Sequence, residues 1–490
     1  MAPFRITPRP LALVAAISIV QLAGLSSRAE ATTLTLVGSS QKICQLTGDT
    51  DWTTNQPTNA QTNTNYHLLG VDLGFPVDAG PGNPLYLLFG DAFPSTTGNP
   101  IPPDDAIGFT NRTVAPDSQT CLDLELVTQA GAFAHPTVSP PILQGSFNVP
   151  TGGVFVDKRL YAFFWTDHCV ALPPTPIGPL PATPLQLPAP YPNCPQTPQF
   201  NTLGRSVLAF ASETAPAAFE QARQLFPPWG PIIHPHPEFE GMPSGFVYVT
   251  AAQPGPHVRV PRLIPPFIPS FEPKTFVPVF GVARYRASIP YLAMAPQETF
   301  ADPATWLFYA GQTGGGHPKF VTRAEWESGH TSSGQWTPPK GAELYADSVI
   351  AGIDERCVGE HSVTYNAALR TWLLLYVCGP YRVEARTAPD PWGPWSPPTV
   401  LMSLLHDPGV VCTLIMDGIH GCGAKPDFWQ FTGTNPSGFF YAPFALERFT
   451  QDVTPPGAGG TRTANIFWLV STWNPYQVIV MQSTLQLSAN

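Results

Sequence analysis

The 490-residue sequence has few charged residues and almost no helical hydrophobic pattern. Charged side chains make up 12% of the chain and hydrophobic ones 43%, a balance that excludes an intrinsically disordered protein. The formal net charge of −10 argues against a nucleic-acid partner or an anionic membrane surface. Sixty-one prolines argue against long helices and for many turns. We predict one short helix, over 216–225, with Thr214 as its cap.

Several catalytic and metal-binding motifs are also missing. No C-x-x-C pair occurs, which excludes a zinc cluster of the usual spacing. The sequence contains no G-x-S-x-G turn, phosphate-binding loop or dinucleotide fingerprint. Asp407, His420 and Asp427 lie in or beside a loop between two cysteines, but their spacing fits no known ligand pattern. We therefore predict that the protein needs no cofactor and no metal.

One long apolar run is present, at the N-terminus. Residues 11–25 are nearly all apolar, and Arg5 and Arg9 precede them. Ala29 and Ala31 then form an A-x-A cleavage site, so residues 1–31 are predicted to be a secretory signal peptide. An uncleaved anchor is the alternative, which the shortness of the run disfavours. We expect a secreted protein without stable membrane insertion after cleavage.

All eight cysteines lie beyond this segment. An even number in a secreted chain indicates disulfides, although eight cysteines allow about 105 pairings and the sequence does not fix them. Proximity in the chain favours four pairs: Cys44 with Cys121, Cys169 with Cys194, Cys357 with Cys378, and Cys412 with Cys422.

The rest of the chain has a loose repeat of apolar or aromatic strands separated by short turns. Five such units are recognised, at 67–128, 146–213, 245–311, 360–387 and 439–487, after an entry strand at 33–37. The strands predicted within them include 121–128, 159–167 and 371–379. Five similar all-β units predict a five-bladed β-propeller over residues 32–490, as a single domain. Long Pro-rich loops, such as 172–197 and 227–243, account for the extra length. A pair of β-sandwich domains is the alternative.

Asp72 and Asp91 are the most informative polar residues. They are 19 residues apart, and each lies beside a glycine at the edge of an apolar run. The pattern predicts strand, turn and strand with one carboxylate on each strand, and strands ~4.8 Å apart can present two carboxyls to one pocket. A carboxylate buried in apolar sequence is costly unless it is paired. The alternatives are a turn cap for Asp91 and, for Asp72, a strand-end carboxylate that holds the following bend.

Other polar and aromatic residues occupy similar places in the repeat. Glu360 and His361 open one strand, and Asp167 ends another as Asp91 does, although Cys169 suggests a disulfide-bonded loop there. Flat aromatic faces suit sugar rings, but they equally suit packing between blades. The candidates for substrate binding are Asp167, Glu360, His361, Asn148, Tyr441 and Trp473, the last with Tyr476.

The order of several motifs resembles a bacterial secreted family that was long a domain of unknown function and now includes endo-D-arabinanases. The resemblance covers roughly residues 66–487 and rests on these segments: Gly70-x-Asp72-Leu73-Gly74-x-Pro76, Leu87-x-Phe89-Gly90-Asp91, Gly359-Glu360-His361-Ser362-Val363, Thr371-Trp372-Leu373, Arg386-Thr387-Ala388-Pro389, Gly393-Pro394-Trp395-Ser396 and Ser471-Thr472-Trp473-Asn474-Pro475-Tyr476. It implies a five-bladed propeller with an axial active site, in which Asp72 and Asp91 are catalytic. The long Pro-rich insertions and the cysteines depart from the family pattern and put the substrate in question.

The expectation is therefore a monomeric glycoside hydrolase that cleaves a furanoside polysaccharide such as D-arabinan. Asp72 and Asp91 would act as acid and as base or nucleophile. Two alternatives stay open: a non-catalytic carbohydrate-binding propeller, and a propeller glycosidase with three acids from three blades, here Asp72, Asp167 and Glu360. The distance between the two catalytic carboxyl groups distinguishes hydrolysis with retention from hydrolysis with inversion. The sequence does not give this distance.

Overall fold

The structure, a computed structural model, describes residues 32–95, 104–139, 148–166, 205–221, 245–253, 261–264, 268–271, 275–283, 285–314, 316–329, 336–346, 349–350, 353–379, 382–418, 421–423 and 438–489. Within these ranges the chain is almost entirely strand and turn. The α-helices found there are short: α1 (Thr62–Tyr66), α2 (Arg323–Glu327) and α3 (Pro408–Val411). No helix in the described part of the chain is both long and apolar enough to cross a membrane.

The strands are numbered in chain order. They are β1 (Thr32–Gln45), β2 (Leu68–Asp78), β3 (Leu85–Pro94), β4 (Asp104–Thr110), β5 (Glu125–Leu126), β6 (Thr128–Gln129), β7 (Ala132–Phe133), β8 (Thr137–Ser139), β9 (Asn148–Val156), β10 (Arg159–Thr166), β11 (Arg205–Ser212), β12 (Ala218–Gln221), β13 (Tyr248–Ala251), β14 (Pro261–Ile264), β15 (Ile268–Phe271), β16 (Phe276–Val282), β17 (Tyr291–Pro296), β18 (Leu307–Gln312), β19 (Pro318–Val321), β20 (Val349–Ile350), β21 (Ile353–Asp354), β22 (Val358–Asn366), β23 (Thr371–Cys378), β24 (Arg382–Ala388), β25 (Thr399–Ser403), β26 (Phe440–Ala445), β27 (Gln451–Asp452), β28 (Arg462–Thr472) and β29 (Val478–Ala489).

Five sheets of four or five strands form the blades of a β-propeller. From the centre outwards, the strand orders are β2-β3-β4-β5, β9-β10-β11-β12-β8, β13-β16-β17-β18-β19, β22-β23-β24-β25 and β26-β28-β29-β1. The innermost strands contact one another in a closed ring, in the order β2, β9, β13, β22, β26 and back to β2. The five-bladed, all-β prediction is confirmed. The axis of this ring is where five strands bring side chains from distant parts of the sequence together.

The ring is closed by the two ends of the described chain. β1 pairs antiparallel with β29, from Thr33 opposite Ser488 to Gln45 opposite Ile479. The N-terminal strand is thus the outer strand of the last blade, and it is longer than the predicted entry strand at 33–37. A disulfide then joins Cys44 on β1 to Cys121 in the first blade's region. The hydrogen bonds between β1 and β29 therefore complete the last blade, and one covalent bond links that blade to the first blade's region.

Apolar side chains fill the spaces between neighbouring blades. Leu375 on β23 and Trp468 on β28 are buried in one cluster, and Phe163 on β10 and Val279 on β16 are buried in another. Gly152 on β9 marks the closest approach between two inner strands: a Cβ there would lie 2.6 Å from Cα of Thr250 on β13. Burial of this apolar surface provides the main driving force that holds the blades together.

Several details differ from the sequence prediction. The strands β4 and β17 were not predicted. The strand predicted at 121–128 contains only the two-residue strand β5 and the first residue of β6. The predicted helix at 216–225 is wrong, because Ala218–Gln221 forms β12, which pairs with β11 and β8 and satisfies its backbone in the sheet. Three predicted disulfides are confirmed, namely Cys44–Cys121, Cys357–Cys378 and Cys412–Cys422. Cys169, Cys194 and the predicted signal peptide lie outside the described residues.

Candidate active site

The inner strands place a cluster of polar and aromatic side chains at one end of the ring, near the beginning of each strand. β2 supplies Asp72, β13 supplies Tyr248, β22 supplies Glu360 and His361, and β26 supplies Tyr441. All five side chains are buried. Burying a polar group costs free energy unless the group is hydrogen-bonded. Four of the five, all except Tyr248, were predicted from the sequence. These four come from three different blades.

Irregular backbone positions these side chains. The pairing of β2 with β3 shifts register around Asp72, and the next two residues, Leu73 and Gly74, have φ values of 59° and 82°. Asp91 itself has a φ of 42°, as Ala442, which follows Tyr441, has one of 55°. Non-glycine residues enter this left-handed region only when their surroundings require it. Bulges of this kind redirect side chains, and they concentrate beside active sites.

Asp72 and Asp91 interact with one another and with two tyrosines. The Tyr441 hydroxyl donates to Asp72 Oδ2 at 2.8 Å, and the Tyr476 hydroxyl lies 3.5 Å from Asp91 Oδ2. Burial raises the pKa of Asp72 well above its usual value, and the negative charge of Asp91 raises it further. Hydrogen bonds from Tyr476 and Tyr441 oppose this shift in the pKa. Tyr476 therefore bridges the two carboxyl groups.

Glu360 is held by a cation and a phenol from the loop after β16. Arg286 Nη2 lies 3.2 Å from Glu360 Oε1 and 3.3 Å from Oε2, and the Tyr285 hydroxyl donates to Oε1. The Arg286 guanidinium also lies over the Tyr285 ring, 4.8 Å from its centre. A side chain at Gly359 would meet Arg286 Cγ at 2.8 Å, so glycine leaves room for this pair. Glu360 is close enough for its charge to raise the pKa of Asp72.

His361 and Tyr248 lie beside one another with unused polar atoms. Their ring centres are 5.7 Å apart. His361 Nδ1 is 3.0 Å from the carbonyl oxygen of Gly359, and burial lowers the pKa of His361 to about 4. Tyr248 Oη, His361 Nε2 and Asp72 Oδ1 have no hydrogen-bond partner within the described part of the chain. Burial also raises the pKa of Tyr248 well above its usual value, which keeps its hydroxyl protonated.

Aromatic rings extend around this end of the propeller. Trp165 at the end of β10 packs against Tyr248 and Tyr285, with ring centres 5.6 Å and 5.0 Å apart. Trp473 is partly buried, and it stacks on Phe439 at 5.4 Å with an interplanar angle of 10°. Much of the Trp473 ring is thus used in packing, while Tyr476 meets it edge to face.

The structure brings together most of the residues predicted for the site. Asp72, Asp91, Glu360, His361 and Tyr441 meet there, and Trp473 lies at its margin. Asn148 begins β9 at the equivalent level, but its side chain is outside the described residues, as is all of Asp167. Sequence reasoning missed Tyr248, Tyr285 and Arg286. Arg286 was the most detectable of these, because it lies four residues beyond an apolar strand in a chain with few charged residues.

The arrangement suits acid–base chemistry on a neutral ligand. A carboxyl group with a raised pKa keeps its proton to a higher pH than a free carboxyl group does and can donate it, while a second carboxylate nearby can accept a proton or attack. The tyrosines can only donate or accept hydrogen bonds, since burial raises the pKa values of Tyr441 and Tyr476 well above normal. Among the described residues, no group of three or more His, Cys, Asp or Glu side chains is arranged to hold a metal ion.

A second buried charged cluster lies within blade four, and its charged side chains pair with one another. Glu355 accepts hydrogen bonds from Arg382, at 3.3 Å, and from Arg386. Tyr376 donates to Glu384 at 2.5 Å and accepts from Arg386 Nε at 2.9 Å. The two arginines and two glutamates balance in charge, so this cluster holds β23 and β24 to the segment before β22.

Comparison with solved structures gives remote matches. A Bacteroides ovatus protein provisionally classed as a hydrolase matches with a TM-score of 0.43 and 10% identity, over 87% of this chain and 88% of that chain. The catalytic domain of a Coprinopsis cinerea GH62 α-L-arabinofuranosidase matches with a TM-score of 0.34 and 9% identity, over 92% and 98%. A GH43 β-xylosidase/α-arabinofuranosidase from a compost microbial metagenome matches with a TM-score of 0.32 and 9% identity, over 86% and 94%. These TM-scores are too low to bear on function.

Sequence comparison gives a narrower result. No curated protein matches the chain. The profile of a family described as a domain of unknown function (DUF4185) matches residues 267–482, which is less than half of the chain. That segment contains Glu360, His361, Tyr441 and Tyr476, whereas Asp72 and Asp91 precede it.

Proposed function

We propose that the protein is a secreted glycoside hydrolase that cleaves a furanoside polysaccharide, with D-arabinan as the first substrate to test. Asp72 and Asp91 are the catalytic pair: one protonates the leaving oxygen, and the other activates water or attacks the anomeric carbon. The sugar polymer is the only partner this chemistry requires, and the protein acts without a cofactor. The choice of D-arabinan rests on the motif resemblance and not on the geometry.

One observation carries the proposal: Asp72 and Asp91 interact at the axis, and Tyr476 contacts both. Burial raises the pKa of Asp72, and the like charge of Asp91 raises it further. A structural carboxylate would instead be expected to have a cation beside it, as Asp78 has in Arg448 at the other end of β2. Asp72 has two phenols and a second carboxylate as its partners, which is the environment that tunes an acid for proton transfer.

The test is incubation of the purified protein with mycobacterial arabinogalactan, followed by chromatography of the released oligosaccharides. We expect a ladder of arabino-oligosaccharides, which Asp72→Asn and Asp91→Asn each abolish while the variants remain folded. Asp78→Asn is the matched control, because it changes the same residue type on the same strand away from the site; it should keep the activity. Full activity in folded Asp72→Asn or Asp91→Asn would refute the catalytic assignment.

A three-acid mechanism is the second candidate, because Glu360 comes from another blade and its charge reaches Asp72. In that case Glu360→Gln should reduce kcat as strongly as the aspartate variants do. If Glu360 only supports the site through Arg286, Glu360→Gln should leave most of the turnover intact. A carbohydrate-binding propeller without activity would bind arabinogalactan and release no oligosaccharides from it.

A further inference from the structure

The geometry points to a role for Tyr248 and His361 that is separate from catalysis: together they bind one hydroxyl group of the sugar held at the axis, which donates to His361 Nε2 and accepts from Tyr248 Oη. The inference rests on the proposed function and deepens it, because it assigns a specificity-determining pair within the site.

The tautomer of His361 follows from its contact with the backbone. Nδ1 lies 3.0 Å from the Gly359 carbonyl oxygen, and a carbonyl oxygen only accepts hydrogen bonds. Nδ1 therefore carries the proton. Burial lowers the pKa of the ring to about 4, so at ordinary pH the imidazole is neutral and Nε2 has a lone pair. Nε2 is a hydrogen-bond acceptor, and it has no partner in the described part of the chain.

Tyr248 provides the complementary donor. Its side chain is 1% exposed, and its hydroxyl also has no partner among the described residues. Both Glu360 and Asp72 are near enough for their charges to raise the pKa of Tyr248, so the hydroxyl lies close to the two carboxyl groups. Trp165, Tyr285 and His361 fix the ring by packing around it. The rotamer is thus held by apolar contacts and not by a hydrogen bond.

An acceptor and a donor that are both buried, adjacent and unpaired are costly in the free protein. The buried Tyr376 hydroxyl, by contrast, is satisfied by Glu384 and Arg386. A hydroxyl group is the ligand chemistry that pairs with both atoms at once, because it donates one hydrogen bond and accepts others. Asp72 Oδ1 also has no partner among the described residues. Because Tyr248 is near Asp72, we assign this hydroxyl to the sugar unit that contacts the proposed catalytic carboxyl groups.

The test is the affinity of the protein for D-arabinofuranose oligosaccharides, measured by calorimetry in an Asp91→Asn background so that the ligand is not consumed. Adding Tyr248→Phe removes one oxygen atom that has no partner among the described residues of the free protein. We expect the Kd to rise about 10- to 100-fold, the loss when a buried ligand group is left unpaired. The thermal midpoint of the free protein should stay the same or rise, since no internal hydrogen bond is lost.

Tyr376→Phe in the same background is the matched control. It removes an equally buried hydroxyl that has partners in blade four, so the thermal midpoint should fall while the Kd stays unchanged. An unchanged Kd in Tyr248→Phe overturns the inference. If the thermal midpoint of that variant also falls, the hydroxyl binds a resident water and not the sugar. His361 offers an independent readout: ¹⁵N spectra should show an unprotonated Nε2 whose resonance moves when the sugar is added.

The two proposals fail in different ways. Cleavage of arabinogalactan with no effect of Tyr248→Phe on the Kd overturns the hydroxyl-binding pair and leaves the hydrolase. If the parent binds no D-arabinofuranose oligosaccharide, the same comparison is made with L-arabino-, xylo- and galacto-oligosaccharides. If Tyr248→Phe raises the Kd for one of these sugars, the result supports the Tyr248–His361 pair. D-arabinan is then rejected as the substrate. Binding of none of these sugars overturns both proposals.

Discussion

The hydroxyl of Tyr441 on β26 donates a 2.8 Å hydrogen bond to Oδ2 of Asp72 on β2. These strands belong to the last and the first blade, so the bond crosses the junction at which the propeller closes. Tyr476, which contacts Asp91, also comes from the last blade. The environment of the proposed catalytic pair therefore depends on correct closure of the ring, although both aspartates belong to the first blade.

Replacing Tyr441 with phenylalanine should shift the pH dependence of the reaction. The Tyr441 hydrogen bond lowers the pKa of Asp72, because it stabilises the charged carboxylate. Its removal should move one limb of the kcat/KM profile to higher pH, by about one pH unit. The basic limb will move if Asp72 is the acid, and the acidic limb if Asp72 is the base or nucleophile. Tyr376→Phe should leave both limbs in place, and a Tyr441→Phe profile that superimposes on the wild type would contradict the prediction.

Asp72→Asn should make the folded protein more stable at neutral pH. The folded-state pKa of Asp72 is raised above its unfolded value, so folding favours the protonated form. The stability that this group contributes is fully present below about pH 4 and is lost as the pH rises through the folded-state pKa. Asparagine does not titrate, and the difference in unfolding free energy should therefore grow from pH 4 towards pH 8.

The measurement for this prediction is thermal unfolding of both proteins across that pH range. Asp78→Asn is the control, since Asp78 pairs with Arg448 and its loss should give no gain in stability at any pH. A wild type at least as stable as Asp72→Asn at pH 8 would show that Asp72 does not carry the burial cost described above. The expected gain would accompany loss of activity, as at other active sites that sacrifice stability for function.

The sequence pattern was sufficient where a strand packs on both faces. β10 and β23 are continuous apolar or aromatic runs, and both were predicted within one or two residues of their observed limits. β4 was missed because Asp104 and Asp105 follow a pair of prolines, which reads as a turn. The helix at 216–225 was predicted from local composition, but pairing with a neighbouring strand decided the conformation of Ala218–Gln221.

The site was predictable only in part, because backbone irregularities decide which side chains reach it. Glu360 and His361 are consecutive residues, which a regular strand would point to opposite faces. The register of β22 against β23 shifts between Val358 and His361, and both side chains approach the axis. Tyr248 could not be recognised, since a tyrosine within an apolar strand usually packs in a core. Its unpaired hydroxyl is a property of the three-dimensional structure alone.

Removing the cation beside Glu360 should destabilise the protein more than removing both charges. The Glu360 side chain is 4% exposed, and Arg286 is its cationic partner at 3.2 Å. Arg286→Met leaves a buried carboxylate near Asp72 whose one remaining partner among the described residues is Tyr285. We expect a loss of about 3 kcal/mol in the unfolding free energy, at the lower end of the range for broken buried pairs because Arg286 is partly exposed.

Urea unfolding of Arg286→Met, Glu360→Gln and the double variant measures this coupling. The double variant should regain at least about 1 kcal/mol relative to Arg286→Met, because the buried charge is gone. Arg356→Met, which removes the more exposed pair with Glu343, is the control and should cost less than about 1 kcal/mol. Additive effects of the two single substitutions would mean that Arg286 and Glu360 do not stabilise one another.

The disulfide between Cys44 and Cys121 should contribute more to stability than the one between Cys412 and Cys422. The first closes a loop of 77 residues and joins the last blade to the first, whereas the second spans 10 residues within one loop. From loop-closure entropy alone, the double alanine variants should lose about 4.5 and about 2.8 kcal/mol respectively. Cys44→Ala/Cys121→Ala also removes the covalent link between β1 and the first blade's region. β1 is then held by its pairing with β29 and by its hydrogen bonds to β25, so the last blade can open more easily at its outer edge. Hydrogen exchange should then show faster exchange of the β1 and β29 amides in this variant than in Cys412→Ala/Cys422→Ala. Equal exchange in the two variants would mean that hydrogen bonds between β1 and β29 close the ring without help from the disulfide.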